Sequence, residues 1–315
     1  MATVIIVNWN GEVFLERCLA GLMNQTVKPH EIIMVDNASS DKSVEIVDRF
    51  PSVRVLELGQ NTGFAQGNNL AIAAASSETE WIVLLNPDAF PEPGWLEELL
   101  AAAHRNPGFD AFGSKLVVAA DPGVLDGAGD VYHVSGLVWR MGHGAPVASF
   151  TAQAREVFSL CAAAAMYRRS ALLEVGGFDE DYFCYVEDVD LGFRLRLAGY
   201  RCLYVPLSVA HHVGSGTTGG QHSDFAVYHG HRNLVWTYVK DMPGMLFWAF
   251  LPLHLAMNLV ALVVFTLRGQ GEVMFRAKRD ALMGIPLMWK KRRQVQSKRV
   301  VSWRAILRVL EKGFG

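Results

Sequence analysis

The stretch Thr3-Val-Ile-Ile-Val-Asn-Trp-Asn10 is the first example of the pattern that indicates the fold: a short apolar run that ends in polar residues. Apolar runs of similar length recur at 31–35, 53–58 and 81–85, and polar or turn residues follow each of them. Short runs bounded in this way are typical of buried strands. We therefore expect the amino-terminal part of the chain to supply a set of buried strands.

Helical patterns separate these runs. Four apolar residues between the first two runs have the i, i+3, i+4, i+7 spacing that places one stripe on a helix, namely Leu15, Cys18, Leu19 and Leu22. The segments 41–50 and 63–75 are two further helix candidates. Alternation of strands and helices with short connections predicts a doubly wound α/β fold with a parallel sheet.

The composition is that of a globular chain. Hydrophobic residues make up 51% of the 315 residues and charged residues 19%, unlike the composition of disordered chains. The formal charge of -2 removes the overall basic field expected of a protein that binds nucleic acid. This length indicates two domains, or one large α/β domain with an appendage.

The cysteines and the amino terminus indicate a cytoplasmic protein. Cys18, Cys161, Cys184 and Cys202 form no CxxC pair and are too few for a disulfide scaffold. The chain enters its first strand without the charged and apolar segments of a secretory signal. We therefore expect reduced thiols and an amino-terminal part that stays in the cytoplasm.

Polar clusters follow the predicted strands at 8–10, 36–41, 61–69 and 86–88. Any one of them is explained by ordinary turn chemistry, since Asn, Asp, Ser and Gly are common turn residues. Ligands of open α/β sheets bind outside the carboxyl ends of the strands, where all of these clusters are expected to lie. Together they predict one ligand crevice.

Two segments carry the charged residues of this crevice. Asp88 in Asn86-Pro87-Asp88 is a suitable ligand for Mg²⁺ or Mn²⁺ beside a nucleoside diphosphate, although a helix N-cap is the alternative role. Glu187, Asp188 and Asp190 lie among aromatic residues, where a carboxylate of raised basicity can serve as a general base. The alternative is enrichment of acidic residues in the first turn of a helix, and we favour it for Asp190.

The motifs of the chain resemble those of the family 2 inverting glycosyltransferases of the GT-A fold, and within them the bacterial rhamnosyltransferase group. The matching motifs, in the family's order over about residues 2–235, are Val-Ile-Ile-Val-Asn-Trp-Asn10, Val-Asp36-Asn-Ala-Ser-Ser-Asp41, Asn61-x-Gly-Phe-Ala-x-Gly67-Asn, Leu-Asn86-Pro-Asp88, Gly-Gly-Phe-Asp179 and Tyr-x-Glu187-Asp188-x-Asp-Leu.

The resemblance implies a Rossmann-like, doubly wound mixed sheet and a metal-dependent hexosyltransferase. The enzyme would move a sugar, above all rhamnose, from a nucleotide-diphosphate donor such as dTDP-rhamnose or a UDP-sugar. The acceptor would be a polyprenyl-diphosphate-linked sugar or a polysaccharide of the cell envelope. Two rival functions are a nucleotidyltransferase, which would release pyrophosphate, and a non-catalytic membrane protein that binds sugar nucleotides.

The resemblance also implies roles for individual residues. The nucleotide-sugar site would comprise Val7, Asn8, Asn10, Asp36, Asn61, Gly67, Asn68, Asn86 and Arg232. Asp188 would be the general base, with Glu187 as its partner in the Glu-Asp pair. Asn86 replaces the first acidic residue of the family's Asp-x-Asp motif, so Asp88 needs a second protein ligand for the metal. His211 is the first choice and His212 the second.

The extent of the resemblance and the different composition of the carboxyl-terminal stretch predict the domain organisation. We expect a GT-A catalytic domain over 1–240, with a nucleotide-sugar half at about 1–115 and an acceptor half at about 116–240. The segment 214–220 is a glycine-rich loop candidate. An apolar and basic helical appendage is expected over 241–315.

The appendage has two features that favour a membrane surface. Residues 245–267 carry no formal charge and are long enough to span a bilayer, while Lys290-Lys-Arg-Arg293 begins a basic cluster suited to anionic lipid. We favour helices at 245–267 and 281–289 that lie in the interface on the cytoplasmic face of the inner or plasma membrane. A spanning helix and an appendage packed on the catalytic domain are the alternatives.

Overall fold

A computed structural model gives the structure of the protein and describes residues 1–150, 153–214, 216, 219–220 and 222–313. Ser215, Thr217 and Thr218 of the predicted loop lie outside these residues. The first strands are β1 (Ala2–Asn8), β2 (Glu31–Asp36), β3 (Val53–Glu57) and β4 (Trp81–Leu85). They are parallel in the order β3-β2-β1-β4, as the apolar runs predicted.

The helices of this half are α1 (Glu12–Met23), α2 (Ser43–Val47), α3 (Gly63–Ala74) and α4 (Trp95–Arg105). Helix α1 buries the predicted stripe of Leu15, Cys18, Leu19 and Leu22. Because right-handed crossovers place the helices on both faces of the sheet, the apolar side chains form two clusters, one on each face. The predicted doubly wound fold is confirmed.

The second half of the catalytic domain extends the sheet and makes it mixed. Its strands are β5 (Ala89–Pro91), β6 (Ala111–Val118), β7 (Asp121–Gly127), β8 (Asp130–Tyr132), β9 (Val138–Arg140), β10 (Arg155–Val157), β11 (Ala164–Arg168) and β12 (Cys202–His212). Strand β11 is antiparallel to β4, whereas β12 is parallel to β6. Strands β8 and β9 form a separate hairpin. Helices α5 (Arg169–Val175) and α6 (Glu187–Leu197) lie between β11 and β12 in the chain.

The carboxyl-terminal region consists of α7 (Asp224–Asp241), α8 (Gly244–Leu267), α9 (Gly271–Met283), α10 (Ile285–Ser297) and α11 (Trp303–Val309). The predicted helix at 281–289 is wrong, because α9 ends at Met283 and α10 begins at Ile285, with Gly284 between them. A Cβ atom on Gly284 would lie 2.6 Å from Nε1 of Trp236, so only glycine allows this close approach. The break therefore packs the end of α9 onto α7.

The appendage shares a core with the catalytic domain. Tyr132 and Phe193 of the catalytic domain belong to the same buried cluster as Leu246, Met288 and Ile306 of the appendage. The domain boundary at residue 240 stays a prediction. In space, the terminal helices cover one side of the catalytic domain.

Helix α8 is the one helix in the described ranges that is long and apolar enough to cross a membrane. Two of its polar residues, His254 and Asn258, face the protein. Nδ1 of His254 lies 2.7 Å from the carbonyl oxygen of Ser135, and the His254 ring stacks on Tyr238 at 3.9 Å. Oδ1 of Asn258 accepts a hydrogen bond of 2.6 Å from Nζ of Lys278. These contacts lay α8 along the protein surface.

The basic segment at the start of α10 is divided between the surface and the interior. Lys290 and Arg293 are exposed. Lys291 pairs with Asp179 and Asp181, while the buried Arg292 donates to the carbonyl oxygen of Val239 at 2.7 Å. The expectation that all four cations face lipid is therefore wrong, because Lys291 pairs with carboxylates of the protein and Arg292 is buried against a backbone oxygen.

Candidate active site

One cavity of about 640 Å³ opens at the carboxyl ends of the first strands, where the polar clusters predicted a crevice. Its wall includes Val7, Asn61, Asn86 and Asp88 from the nucleotide-sugar half. The opposite wall includes predicted and unpredicted residues of the second half, among them Asp130, Trp139, Arg140, Glu187, Asp188 and His212. The two halves therefore form one site.

Two side chains of the cavity wall, Asp88 and His212, are linked in a row to a third side chain, Asp126, which lies behind the wall. Oδ1 of Asp88 lies 3.4 Å from Nε2 of His212, and Nδ1 of His212 lies 2.8 Å from Oδ2 of Asp126. Asp88 also accepts a hydrogen bond of 3.1 Å from the backbone N–H of Gly216. All three side chains are almost completely buried. Asp126 thus orients the imidazole ring, as carboxylates do for metal-binding histidines.

The carboxylates of Asp88 and Asp126 favour a positive charge at His212. Burial lowers the pKa of His212, but the hydrogen bond to Asp126 and the negative charges of Asp88 and Asp126 outweigh it and raise the pKa to about 9. Nε2 of His212 is buried without a hydrogen-bond partner in the described ranges, and it faces Asp88. No group of three metal-binding side chains occurs among the described residues. Two protein ligands still fit Mg²⁺ or Mn²⁺, because these ions usually share their coordination with phosphates and water.

His211, the first choice for the second metal ligand, does not lie beside Asp88. Nε2 of His211 lies 3.1 Å from Oε1 of Glu92, on the other side of β12. Successive side chains of a strand point to opposite faces, so only one of two adjacent histidines can face the cavity. The structure brings His212, the second choice, to that position.

The Glu-Asp pair lies at the start of α6. Oδ2 of Asp188 accepts a hydrogen bond of 3.1 Å from the backbone N–H of Ala162, and Oδ1 accepts one of 2.8 Å from the N–H of Val189. Burial raises the pKa of Asp188, and these N–H groups and Arg140 offset part of that effect. Burial and the charge of Asp188 raise the pKa of Glu187 far above its ordinary value. The pair can therefore hold a proton more readily than free carboxylates.

Sequence reasoning missed the acidic and basic residues of the β7–β9 region. Asp130 is buried, and its Oδ2 accepts a hydrogen bond of 3.3 Å from Oγ of Ser159. Burial and the nearby Asp188 raise the pKa of Asp130 to about 7. Arg140 donates to Oδ2 of Asp126 at 2.6 Å and also acts electrostatically on Asp188. The Leu-Asp-Gly-Ala-Gly-Asp130 turn was the available sequence signal for these carboxylates.

Residues assigned to the nucleotide by resemblance partly serve the loop itself. Oδ1 of Asp36 accepts a hydrogen bond of 3.2 Å from Nδ2 of Asn8, and Oδ2 accepts one of 3.0 Å from the N–H of Ser39. Oδ1 of Asn10 accepts from the N–H of Ser40 at 2.8 Å. Asp36, Asn8 and Asn10 do not line the cavity wall. They shape the loop beside it.

The residues predicted on α3 have packing roles. A Cβ atom on Gly67 would lie 2.8 Å from Cγ1 of Val7, so glycine lets α3 approach β1. The buried Asn68 donates to the carbonyl oxygen of Phe64 at 2.9 Å. Neither residue lines the cavity, whereas Asn61 and Asn86 do. Oδ1 of Asn86 is buried without a hydrogen-bond partner among the described residues, so it is available to a ligand.

Arg232 does not lie on the cavity wall either, contrary to its expected contact with diphosphate. Its guanidinium group lies over the ring of Trp236 at 4.2 Å. Nη2 of Arg232 donates to the carbonyl oxygens of Asp181 and Tyr182 at 3.2 and 3.0 Å. These backbone acceptors and the aromatic ring occupy the guanidinium group, which therefore belongs to the support of the 181–182 turn.

The mixed sheet, with helices on both faces and the cavity at its strand ends, has the architecture of the GT-A fold. A model described as glycosyl transferase family 2 matches residues 3–176. The chain belongs to glycosyltransferase family 2. The predicted family is therefore confirmed.

Two relatives agree with this assignment, and a solved structure agrees with the fold. An N-acetylglucosaminyl-diphospho-decaprenol L-rhamnosyltransferase of Mycobacterium tuberculosis is 34% identical over 254 residues, which cover 72% of this chain and 80% of the relative. A rhamnosyltransferase of Escherichia coli is 28% identical over 67% of this chain and 84% of its own. A mannosyltransferase from Pyrobaculum calidifontis, solved with GDP-Man and Mn²⁺, has a TM-score of 0.56 at 18% identity, covering 94% of this chain and 85% of that one.

Proposed function

We propose that this chain transfers a sugar from a nucleoside-diphosphate donor to a hydroxyl group of a lipid-linked acceptor, with inversion at the anomeric carbon. One observation carries the proposal: Asp188 and the Asp88–His212 pair open into the same cavity. The rhamnosyltransferase relatives support dTDP-rhamnose as the first donor to test, with UDP-sugars as the second choice. The decaprenol-linked substrate in the name of one relative supports a polyprenyl-diphosphate acceptor, with envelope polysaccharide as the alternative.

Asp188 is the general base of the proposed reaction. The acceptor oxygen forms a bond to the anomeric carbon while the bond from that carbon to the diphosphate oxygen breaks. The acceptor proton passes to the carboxylate of Asp188, whose raised pKa increases its affinity for that proton. The N–H groups of Ala162 and Val189 hold the carboxylate in place during this transfer.

Asp88 and His212 are the proposed ligands of Mg²⁺ or Mn²⁺. When bound, such an ion neutralises the charge that develops on the leaving diphosphate. Asp126 keeps the imidazole of His212 directed at Asp88 through its hydrogen bond to Nδ1. The unpartnered Nε2 atom and the acidic surroundings both support a cation at this position.

The two walls of the cavity suit two different substrates. Asn61, Asn86 and Val7 are proposed to contact the donor, because they lie at the ends of the nucleotide-side strands. Trp139 and Asp130 of the β8–β9 hairpin lie on the other wall and are proposed to contact the acceptor sugar. An indole ring offers an apolar face to a pyranose, and a carboxyl group accepts hydrogen bonds from its hydroxyls.

A lipid-linked acceptor calls for a membrane surface near the cavity, and the exposed side of α8 is the proposed contact. Leu255, Leu259 and Val263 are 60%, 62% and 52% exposed, while His254 and Asn258 face the protein. This division of faces supports a helix that lies in the plane of the interface. Exposed Lys290 and Arg293 add attraction to anionic lipid of the cytoplasmic leaflet.

A donor panel tests the proposed function. The full-length protein is incubated with Mn²⁺ and dTDP-rhamnose, UDP-GlcNAc or GDP-mannose, with and without a short-chain prenyl-diphosphate GlcNAc acceptor. We expect acceptor-dependent release of nucleoside diphosphate and a product of inverted anomeric configuration by NMR. Release of pyrophosphate would indicate a nucleotidyltransferase. Binding of donors without any turnover would indicate a non-catalytic protein.

A further inference from the structure

The segment that leads into the Glu-Asp pair has an unfavourable backbone. Phe183, Tyr185 and Val186 have φ angles of 65°, 64° and 69°, although none of them is glycine. Such angles are rare for L-residues, and least favourable for a β-branched residue such as Val186. Around Phe183, the N–H of Cys184 donates to the carbonyl oxygen of Tyr182 at 2.8 Å, which makes a strained γ-turn.

One side chain holds most of this turn. Asn233 of α7 is completely buried, and its Nδ2 lies 3.0, 2.9 and 2.7 Å from three backbone oxygens, those of Tyr182, Cys184 and Tyr185. Oδ1 of Asn233 accepts a hydrogen bond of 2.9 Å from Nε of Arg232. The Asn233 amide group thus contacts three backbone oxygens of the segment that contains the strained residues.

The other side of the turn rests on the nucleotide side of the cavity. The carbonyl oxygen of Phe183 accepts a hydrogen bond of 3.2 Å from the N–H of Ala65. A Cβ atom on Gly63 would lie 2.6 Å from the same oxygen, so the turn packs tightly on the start of α3. The turn is therefore clamped between α3 and α7, and Gly63 and Phe183 both line the cavity.

The turn determines where α6 begins. Val186 is the residue before Glu187, and its carbonyl oxygen accepts the hydrogen bond of 2.9 Å from the N–H of Asp190 that starts the helix. Asp188 lies two residues after Val186, in the first turn of α6. A relaxed 182–186 turn would therefore rotate or shift Asp188. Strained backbone persists only where its surroundings hold it, and it is common at active sites.

We propose that Asn233 is a positioning residue for the general base: it holds the 182–186 turn in its strained form so that Asp188 faces the acceptor hydroxyl group. This inference rests on the proposed role of Asp188. A merely structural Asn233 would contribute stability, but the folded fraction of a variant would then turn over like the wild type.

The test uses the full-length chain with Asn233→Ala and Asn233→Asp. The aspartate has nearly the same shape but cannot donate a hydrogen bond to the carbonyl oxygens. Transfer from dTDP-rhamnose to the prenyl-diphosphate GlcNAc analogue is measured at saturating substrates, and binding of dTDP with Mn²⁺ is measured by calorimetry. We expect kcat per folded molecule to fall at least about tenfold, with the Kd for dTDP changed less than about threefold.

A second substitution separates positioning from packing. Glycine adopts a positive φ without strain, so Val186→Gly lowers the need for the clamp. We expect the Asn233→Ala defect in kcat to be smaller when measured against the Val186→Gly single variant. If Asn233→Ala and Asn233→Asp fail to fold, Arg232→Gln is the substitute, because it removes the hydrogen bonds of Arg232 to Oδ1 of Asn233 and to the carbonyl oxygens of Asp181 and Tyr182. A lower kcat at unchanged dTDP affinity is then expected.

These experiments distinguish the positioning role of Asn233 from the general-base role of Asp188. Wild-type kcat in the folded Asn233 variants, or in Arg232→Gln where that variant replaces them, would overturn the positioning role. Equal Asn233→Ala defects in both backgrounds would also overturn it. Asp188→Asn, assayed in parallel, tests the underlying assignment: an active Asp188→Asn enzyme would remove the base itself, whatever the Asn233 variants do.

Discussion

Nε2 of His212 lies 3.4 Å from Oδ1 of Asp88, although the two residues come from opposite halves of the catalytic domain. The contact brings β12 to the loop after β4, and Asp126 completes it from β7. A cation held by this pair would lie beside the donor diphosphate. The adjacent His211 faces Glu92 instead, which supplies a matched control.

His212→Ala and Asp88→Ala should lose both metal-dependent donor affinity and turnover, because each removes one proposed ligand. His211→Ala should keep both within about threefold, since a side chain outside the site adds little to substrate binding. Calorimetry of dTDP with and without Mn²⁺, together with nucleoside-diphosphate release, checks these outcomes. Full activity of the wild type in excess chelator would contradict the metal assignment.

Asp188→Asn should leave donor binding intact and reduce transfer by about 10² to 10⁴, the usual contribution of a general base. The amide keeps the shape but cannot take the hydroxyl proton. Because burial raises the pKa of Asp188, wild-type kcat should decline as pH falls through that raised value, above the ordinary range of an aspartate. A transfer rate above a tenth of the wild type in Asp188→Asn would remove the residue from this role.

Asp130→Asn should stabilise the protein at pH 8 and do so less at pH 5. The folded protein holds the pKa of Asp130 at about 7, above its unfolded value, so the protonated form fits the fold better. This group's contribution to stability is complete below the unfolded pKa and is lost as pH rises through the folded pKa. Urea unfolding at both pH values measures the difference. An equal effect at the two pH values would argue against a shifted Asp130.

Lys240→Met should destabilise the fold by about 3–5 kcal/mol, the usual effect of removing one partner of a buried ion pair. Lys240 is only 1% exposed and pairs with Asp179 and with Asp190, both carboxylates being buried. Lys290→Met is the control, because Lys290 is exposed. The free energy of unfolding in urea checks both variants, and equal values for the two would contradict the predicted role of Lys240.

The Lys290→Gln/Arg293→Gln variant should bind anionic vesicles more weakly without losing stability. Each exposed cation contributes about 1 kcal/mol at an anionic surface, or roughly 30-fold for the two together. Lys28→Gln/Lys42→Gln removes the same charge from the exposed surface of the nucleotide-sugar half and should bind like the wild type.

The apolar contribution is tested separately with Leu259→Gln/Val263→Gln, both on the exposed face of α8. This variant should lose affinity for neutral and anionic vesicles alike, because it weakens insertion rather than charge attraction. Vesicle co-sedimentation at low and high salt measures both effects. If the wild-type protein does not bind anionic vesicles at low salt, the proposed membrane contact is refuted, and the appendage is only a helical region packed on the catalytic domain.

Local patterns in the amino-acid sequence are sufficient to predict the fold class and the family. Short apolar runs with polar ends place the first strands within one or two residues of β1 to β4, because the hydrophobic period of a buried strand is a local property. The Asn86-Pro87-Asp88 and Glu187-Asp188 motifs both reach the cavity for the same reason: each directly follows or begins a regular element.

The partners that His212, Arg232 and Lys291 meet depend on the folded arrangement of distant segments and could not be predicted from local sequence. The pairing of β12 with β6 shifts in register between Val205 and Val209, so the choice between His211 and His212 depends on a register that local sequence does not specify. Arg232 and Lys291 likewise meet backbone oxygens and carboxylates from distant segments. Buried polar groups must find partners, and those partners are known only once the chain has folded.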